Sequence, residues 1–372
     1  MLAVAGELVQ IMTMVRPIPS LPQLHVDLDA LLENFRWFER QAPNSAISCA
    51  LKANAYGLGI KKVAPALQAA GCDIFFVAHI CEGEELREIL GKNPIIYVLH
   101  GLLTHEAETL LNHDLRPVLN THQQMDVWRK QGKGQPAALH IDTGINRLGI
   151  AFDELETINS SDLNLCLIMS HLACAAEPAH PLNAQQLQRF TKVIQHFPGI
   201  AASFCNSAGT LLGSEYQFDL ARIGIGLFGT LALEAELGTP TMTPVARLLA
   251  PIVQLKTLHK GQQVGYGATF EADRTMQVAV LAYGYADGLP RTIGPDTKGW
   301  FKGASVPLLG RVSMDLIVVD LSQLDQQPQV GEHIEFMGHD LEPFADSCGA
   351  EPYEILTSIS PRVQRIYQGE AA

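Results

Sequence analysis

Residues 30 to 230 alternate between short β-rich runs and helical patterns, and this alternation constrains the fold more than any other feature of the chain. The segment 183–197 shows the helical spacing, with Leu187, Phe190 and Ile194 on one face. Eight β-rich runs lie in this region, at 46–51, 74–77, 95–98, 116–119, 138–141, 165–169, 201–205 and 220–225. Eight strands with seven helical or irregular crossovers predict a (β/α)8 TIM-like barrel, and a doubly wound parallel sheet is the main alternative.

The pattern changes near residue 245. Five further β-rich runs follow, separated by Gly, Pro and Asp turns, at 245–257, 277–282, 306–309, 316–319 and 333–336. We therefore predict an α/β chain with a barrel over residues 24–244 and a C-terminal, mostly β domain over 245–372. Residues 24–30 could join the β domain as a strand, and residues 1–23 are expected to be a disordered leader.

Composition excludes several classes of function. The formal net charge of −13 and the lack of a basic run argue against a nucleic-acid partner. No apolar run is long enough to span a bilayer, so no membrane association is expected. The seven cysteines form no C-x-x-C pair, which predicts reduced thiols and a cytoplasmic location. The thirteen histidines form no H-E-x-x-H or similar spacing, so no metal site is predicted.

Four residues with useful chemistry lie where barrel strands are predicted to end: Lys52, His171, Ser207 and Arg222. A lysine just past an apolar strand occupies a pocket that disfavours its charge, so its neutral amine can form an imine with an aldehyde. Taken alone, the position of Lys52 favours an ordinary surface lysine whose stem packs on apolar neighbours.

The segments after strands seven and eight predict a phosphate site. Barrels commonly bind phosphate there, through hydroxyl groups and backbone N–H groups. Ser207 supplies a hydroxyl, and Gly224 and Gly226 would let the backbone approach an anion closely. A packing or turn role for these glycines is the alternative.

Nine motifs in this sequence resemble those of the alanine racemases and occur in that family's order. They are LKANAYG at 51–57, DTGINRLG at 142–149, SHL at 170–172, NSA at 206–208, RIGI at 222–225, VGYG at 264–267, GYADG at 284–288, RVSMD at 311–315 and YEI at 353–355. The resemblance covers residues 24 to 367. Each motif is weak alone, but nine in order across both domains are highly specific.

The resemblance implies a fold type III enzyme that uses pyridoxal 5′-phosphate (PLP) to interconvert L-alanine and D-alanine, supplying D-alanine for the cell wall. It implies that Lys52 holds PLP as a Schiff base and serves as one base. Tyr266 from the β domain of the other subunit of a homodimer would be the second base. A racemase of broader amino-acid specificity, a PLP-carrier protein and a PLP decarboxylase are the alternatives.

The resemblance also assigns the remaining site residues. It implies that the cofactor is bound by Tyr56, His171, Ser207, Arg222, Gly224, Ile225 and Tyr353. Arg147 and Met314 would contact the substrate, and Tyr285 would narrow the entry channel. Arg222 would face the pyridine nitrogen. Because a guanidinium donates hydrogen bonds without giving up its proton, that nitrogen should stay unprotonated, which limits side reactions.

Three positions depart from the family pattern. His140 stands where many relatives have a carbamylated lysine that orients the arginine matching Arg147, and an imidazole forms no stable carbamate. We infer that His140, a bound chloride or another carboxylate positions Arg147 instead, and a structural core histidine is the alternative. Leu58 replaces a frequent histidine and Ser313 a frequent cysteine. For Leu58 we expect a change in helix-start packing more than in chemistry.

Overall fold

The structure is a computed structural model, and it describes residues 20–231, 233, 242–293, 296–338 and 341–370. The leader predicted over residues 1–23 therefore lies largely outside the described residues. All seven cysteines are free thiols. Among the described residues, no helix combines the length and the apolar character needed to cross a bilayer.

The first domain is a barrel of eight parallel strands, as predicted. Its strands are, in chain order, Ala46–Ala50, Ile74–Val77, Ile95–Val98, Arg116–Leu119, Ala137–Asp142, Leu165–Met169, Ala201–Ser203 and Leu220–Ile223. The last strand pairs in parallel with the first. Backbone N–H groups of Asp219 and Arg222 donate to the carbonyls of Ala202 and Cys205, which closes the ring between strands seven and eight. The doubly wound alternative is wrong.

Helices surround the barrel and connect its strands. They are Leu28–Gln41, Ile60–Ala69, Ile80–Leu90, Ala107–Asn112, His122–Gln131 and Pro181–His196, with 3-10 helices at Phe152–Thr157, Ala208–Leu211, Ser214–Tyr216 and Ile225–Phe228. A two-residue strand, Ile150–Ala151, pairs with the fifth barrel strand. The strands are apolar on both faces because the helices cover them outside and side chains fill the barrel inside.

The second domain is an eight-stranded sheet. Its spatial order is Met276–Leu281, Ile317–Asp320, Ala304–Leu309, Lys298–Phe301, His333–Met337, Ala246–Leu258, Gln23–Asp27 and Gln364–Gln368. Met276–Leu281 also pairs with the long strand Ala246–Leu258, so the sheet curls back on itself. A separate hairpin, Gln263–Val264 with Phe270–Glu271, carries the turn that contains Tyr266. The predicted fold class, a barrel followed by a C-terminal, mostly β domain, is thus confirmed.

Two short helices of this domain were not expected from the sequence. They are Leu341–Cys348 and Pro352–Ser358, and Tyr353 lies in the second one. The strand Gln23–Asp27 joins the two domains, since it lies in the β sheet and is followed directly by the helix Leu28–Gln41 of the barrel.

Candidate active site

Lys52 lies just past the carboxyl end of the first barrel strand, Ala46–Ala50. Burial lowers the pKa of the Lys52 amine, and the nearby positive charge of Arg147 lowers it further. The carboxylate of Glu82 acts in the opposite direction. Lys52 is thus a partly buried amine that loses its proton more readily than a surface lysine. This favours a nucleophilic amine over an ordinary surface lysine at this position.

The backbone after Lys52 turns in the left-handed sense for four residues. Ala53, Asn54, Ala55 and Tyr56 have φ angles of 53°, 57°, 53° and 53°. Each non-glycine residue in this region costs roughly 1–2 kcal/mol, so such a run persists only where contacts stabilise it. Within this left-handed turn, the Asn54 side chain accepts a hydrogen bond of 2.8 Å from the N–H of Ile60.

The β domain stabilises the same segment from the other side. Arg365 Nε donates to the carbonyl oxygen of Gly57 at 2.8 Å, and the Tyr367 hydroxyl donates to that of Leu58 at 2.9 Å. A side chain at Gly57 would lie 2.2 Å from the carbonyl oxygen of Leu356. The segment 53–58 after Lys52, here called the lysine loop, is therefore held by contacts from both domains. Leu58 is fully buried at the start of the following helix.

Ser207 binds the backbone segment that follows the last barrel strand. Its Oγ accepts hydrogen bonds from the N–H groups of Gly224 and Gly226, at 3.1 and 3.2 Å. A β-carbon added at Gly224 would come within 2.5 Å of the Tyr56 hydroxyl, so only glycine allows that close approach. The structure therefore brings Tyr56, Ser207 and the Gly224–Gly226 backbone into one cradle.

Tyr56 remains a neutral phenol in this cradle. Burial, and then the nearby Tyr353, raise the pKa of Tyr56 to about 12. The Tyr56 ring packs against Phe228, with ring centroids 4.9 Å apart. Tyr353 thus lies within electrostatic reach of Tyr56, as expected if both hydroxyls face one ligand. Ile225 follows Gly224 as the first residue of a 3-10 helix, so the helix itself does not use its N–H group.

Arg222 is 5% exposed and is held by the barrel interior. Its Nη1 donates to Ser203 Oγ at 2.6 Å, and its Nη2 donates to the carbonyl oxygen of Ser170 at 2.6 Å. Nη2 also lies 3.2 Å from His171 Nδ1. Burial lowers the pKa of Arg222 to about 10, so the guanidinium keeps its charge at neutral pH. Its Nε donates to no described residue.

His171 lies where the charges of the site converge. Burial lowers its pKa well below the usual value, and the charges of Arg222, Arg147 and Lys52 all act in the same direction. Since arginine only donates hydrogen bonds, His171 Nδ1 must accept, and the neutral ring carries its proton on Nε2. The influence of these charges on one imidazole shows that the predicted residues of the barrel lie close together.

His140 is 7% exposed and lies in the fifth barrel strand, where the neighbouring Asn120 amide fixes its tautomer. The Asn120 amide nitrogen donates to the carbonyls of Leu99 and Val118, so Asn120 Oδ1 must face His140 Nδ1, at 2.9 Å. His140 Nδ1 therefore carries the proton. Burial, and then Arg222, lower the His140 pKa to about 3. Nε2 is left as a buried acceptor without a partner among the described residues.

Arg147 projects from the loop after the same strand. Asp142 organises this loop by accepting hydrogen bonds from the backbone N–H groups of Gly144, Ile145 and Arg147, at 2.8, 3.0 and 3.2 Å. The Arg147 side chain is exposed, and its charge reaches both Lys52 and His140. Its placement suits a cation that meets an anionic substrate at the mouth of the barrel.

The remaining predicted residues form a second group, on the surface of the β domain. Tyr266 and Met314 are 72% and 52% exposed. The turn of Tyr285 packs on Ser313 and Met314, whose carbonyls accept from the N–H groups of Tyr285 and Ala286 at 3.1 and 2.9 Å. In the described part of the chain, no hydrogen bond joins Tyr266 to Lys52. Within one chain the barrel residues therefore lie close together, and Tyr266 is left largely exposed.

Two residues of the site were missed from the sequence. Glu82 lies in the first turn of the helix after the second strand, and Asn120 directly follows the fourth strand. Both lie where barrel strands end, so the rule that singled out Lys52 could have found them. An acidic residue in the first turn of a helix usually stabilises the helix end, so Glu82 gives no distinctive signal in the sequence.

The chain is similar to known proteins over both domains. Family models described as the alanine racemase N-terminal and C-terminal domains match residues 26–232 and 245–367. The alanine racemase of Rhodospirillum rubrum is 41% identical over 365 residues, which cover 93% of this chain and 96% of that protein. A catabolic alanine racemase of Mesorhizobium japonicum is 40% identical, with coverage of 93% for each protein.

A solved structure agrees with the family matches. The crystal structure of alanine racemase from Bartonella henselae with covalently bound pyridoxal phosphate has a TM-score of 0.89 and 35% identity. The match covers 94% of this chain and 100% of that one. Relatives of this identity, matched along nearly their whole length, confirm the resemblance carried by the nine motifs. The chain belongs to the alanine racemase family.

Proposed function

We propose that this enzyme interconverts L-alanine and D-alanine with PLP held covalently by Lys52, in a homodimer whose two active sites each use Tyr266 of the partner subunit. Alanine racemisation is the activity of its relatives along both domains. The observation that carries the proposal is the convergence of the Lys52, Arg147 and Arg222 charges on His171. At one end of the barrel, this convergence assembles the amine of Lys52, the cation of Arg147 for the substrate carboxylate and the guanidinium of Arg222 for the pyridine nitrogen.

The cradle around Ser207 fits the phosphate of PLP. Ser207 Oγ is polarised by two backbone N–H groups and donates its own proton to no described residue, so that proton is available to an anion. The Tyr56 hydroxyl faces the same glycine backbone and keeps its proton because its pKa is raised to about 12. Hydroxyls and backbone N–H groups are the usual phosphate donors of barrel enzymes.

Arg222 fits the pyridine nitrogen. Its Nη atoms are fixed by Ser203 and Ser170, whereas Nε is available to an acceptor in the barrel mouth. PLP, when bound, acts as a sink for the electrons left when a Cα proton departs. Arg222 would donate a hydrogen bond to the ring nitrogen without giving up its own proton, which would leave that nitrogen unprotonated and weaken the electron sink. A weak sink favours return of the proton over competing reactions.

Racemisation needs proton transfer on opposite faces of Cα. Lys52 supplies one proton-handling group from the barrel, and burial lowers its pKa, which makes its proton easier to release. Tyr266 lies on an exposed hairpin of the β domain, where another subunit can reach it. Arg147 would bind the substrate carboxylate, Met314 would contact the substrate through its backbone, and Tyr285 would line the entry.

The surface of the β domain supports the dimer. Tyr266, Tyr285, Met314, Leu316 and Tyr353 are all more than a third exposed in the single chain. An exposed apolar group of this kind, beside a site that lacks a second base, is typical of a protein interface. The seven free thiols support a reducing compartment such as the cytoplasm. There the product D-alanine would serve cell-wall synthesis.

Complementation between two inactive variants tests the shared site. Lys52→Ala and Tyr266→Phe chains, each nearly inactive alone, are co-refolded in equal amounts and assayed for D-alanine formed from L-alanine by chiral chromatography. Random pairing gives mixed dimers with one intact site, so about a quarter of the wild-type activity should return. If Tyr266 served its own chain, every site in the mixed dimer would keep one lesion and no activity would return. That result would overturn the proposal.

A further inference from the structure

The Glu82 carboxylate bridges two loops at the mouth of the barrel. Its Oε1 accepts a hydrogen bond of 2.6 Å from the backbone N–H of Ala53. Its Oε2 accepts from the N–H groups of Ala78 and His79, at 2.8 and 3.1 Å. Both oxygens are therefore used, one by the loop after the first strand and one by the loop after the second.

The contact with Ala53 falls at the start of the left-handed turn. Ala53 is the first of its four residues with positive φ and directly follows Lys52. The first hydrogen bond within the turn is made by Ala55, to the carbonyl of Leu51, so the turn itself does not satisfy the Ala53 N–H. Glu82 supplies that acceptor and fixes the backbone on which Lys52 is mounted.

The charge of Glu82 acts on the same lysine. The groups that face Lys52 across the barrel mouth are mostly cationic or neutral: the Arg147 charge lowers the Lys52 pKa, and Lys52 in turn acts on His171 and His100. Glu82 is the carboxylate that opposes them. It therefore balances the positive charge beside an amine that must both carry and release a proton.

We infer that Glu82 is a positioning residue for Lys52. It fixes the backbone beside Lys52 through the N–H of Ala53, and its negative charge stabilises the ammonium form of the Lys52 side chain. The inference rests on the proposed role of Lys52 and adds a residue that acts through it. Glu82 makes the lysine loop dependent on the neighbouring helix Ile80–Leu90.

The experiment measures the Lys52 amine in the cofactor-free protein. Competitive acylation, followed by mass spectrometry over a range of pH, reports the titration of Lys52 in wild type, Glu82→Gln and Glu88→Gln. Glu88 lies on the same helix and is exposed, so its substitution is the matched control. The Lys52 pKa should fall in Glu82→Gln and stay unchanged in Glu88→Gln, because an anion near an ammonium group favours the charged form.

A second measurement separates position from charge. The rate at which PLP forms an adduct that borohydride can fix on the chain is compared at a pH where the Lys52 amine is neutral in every variant. Glu82→Ala should react about tenfold more slowly than wild type, the effect of losing one hydrogen bond to a charged group. Circular dichroism shows that the variant is folded.

Two results would overturn the inference: an unchanged Lys52 titration in Glu82→Gln, or an unchanged adduct rate in folded Glu82→Ala. A merely structural role for Glu82 would leave the titration unmoved. Lys52→Ala distinguishes this failure from that of the proposed function. If that variant still forms the reducible adduct at the active site, the role of Lys52 itself is wrong.

Discussion

His140 discriminates between two ways of holding Arg147, directly or through a bound chloride. We predict that turnover does not depend on chloride, because the structure leaves His140 Nε2 as a hydrogen-bond acceptor. A chloride ion is also an acceptor, so it cannot bind to a lone pair. A guanidinium N–H of Arg147 is the kind of donor that fits this atom.

The free-energy cost of binding chloride at His140 follows from the two ways in which Nε2 could become a hydrogen-bond donor. Protonating His140 at pH 7 means moving about four units above a pKa of about 3, which costs roughly 5 kcal/mol. Moving the proton from Nδ1 to Nε2 instead removes the donor that Asn120 Oδ1 requires. That change costs about 1–3 kcal/mol and would weaken chloride binding by a factor of about 5 to 150.

The assay follows L-alanine turnover in two chloride-free buffers with different counter-ions, then with sodium chloride added at constant ionic strength. Equal kcat and KM throughout are expected. His140→Gln should retain more activity than His140→Leu, because an amide offers both a donor for Asn120 and an acceptor for Arg147. Activity that disappears without chloride and returns when chloride is added would refute the tautomer argument.

The remaining predictions concern the second base, the phosphate cradle and acid stability. Tyr266→Phe should slow both directions equally, because the enantiomers have equal free energies. Solvent deuterium exchange at Cα should nevertheless differ between L-alanine and D-alanine, and symmetric exchange with full turnover would exclude Tyr266 as a base. Ser207→Ala leaves two buried N–H groups unsatisfied and should lower the free energy of unfolding by about 1–3 kcal/mol in urea titrations, whereas an unchanged midpoint would contradict the cradle. Because buried His140 stays neutral to about pH 3 while the unfolded chain takes up its proton near 6.5, stability should fall as pH drops between these values, and His140→Leu should flatten that slope.

The barrel was predictable because buried parallel strands leave a simple signal. The second and third strands, Ile74–Val77 and Ile95–Val98, coincide with apolar runs of four residues, since neither face of such a strand meets water. The seventh strand ends at Ser203, two residues earlier than predicted. Phe204 and Cys205 are fully buried but lie beyond the strand, so an apolar run does not by itself mark where a strand ends.

The left-handed turn after Lys52 was not predictable from its own residues. Alanine and tyrosine have no intrinsic preference for positive φ, and the segment Lys52–Tyr56 contains no glycine. Its conformation depends on Glu82, 29 residues away, and on the β-domain contacts that hold the next two residues. The short helices Leu341–Cys348 and Pro352–Ser358 escaped prediction for a different reason, because eight and seven residues are too few to show a helical period.

The barrel side of the site controls its protons through hydrogen bonds between fixed partners. Arg222 can only donate, so His171 must accept at Nδ1, and Asn120 must accept, so His140 must donate at Nδ1. Burial holds the pKa of both imidazoles below the usual value, which keeps them neutral at physiological pH. Among the described barrel residues around His171, Lys52 is the amine whose proton is released more readily, because burial lowers its pKa. In the proposed two-base scheme the second exchangeable proton comes from outside the barrel, from the exposed phenol of Tyr266 in another subunit.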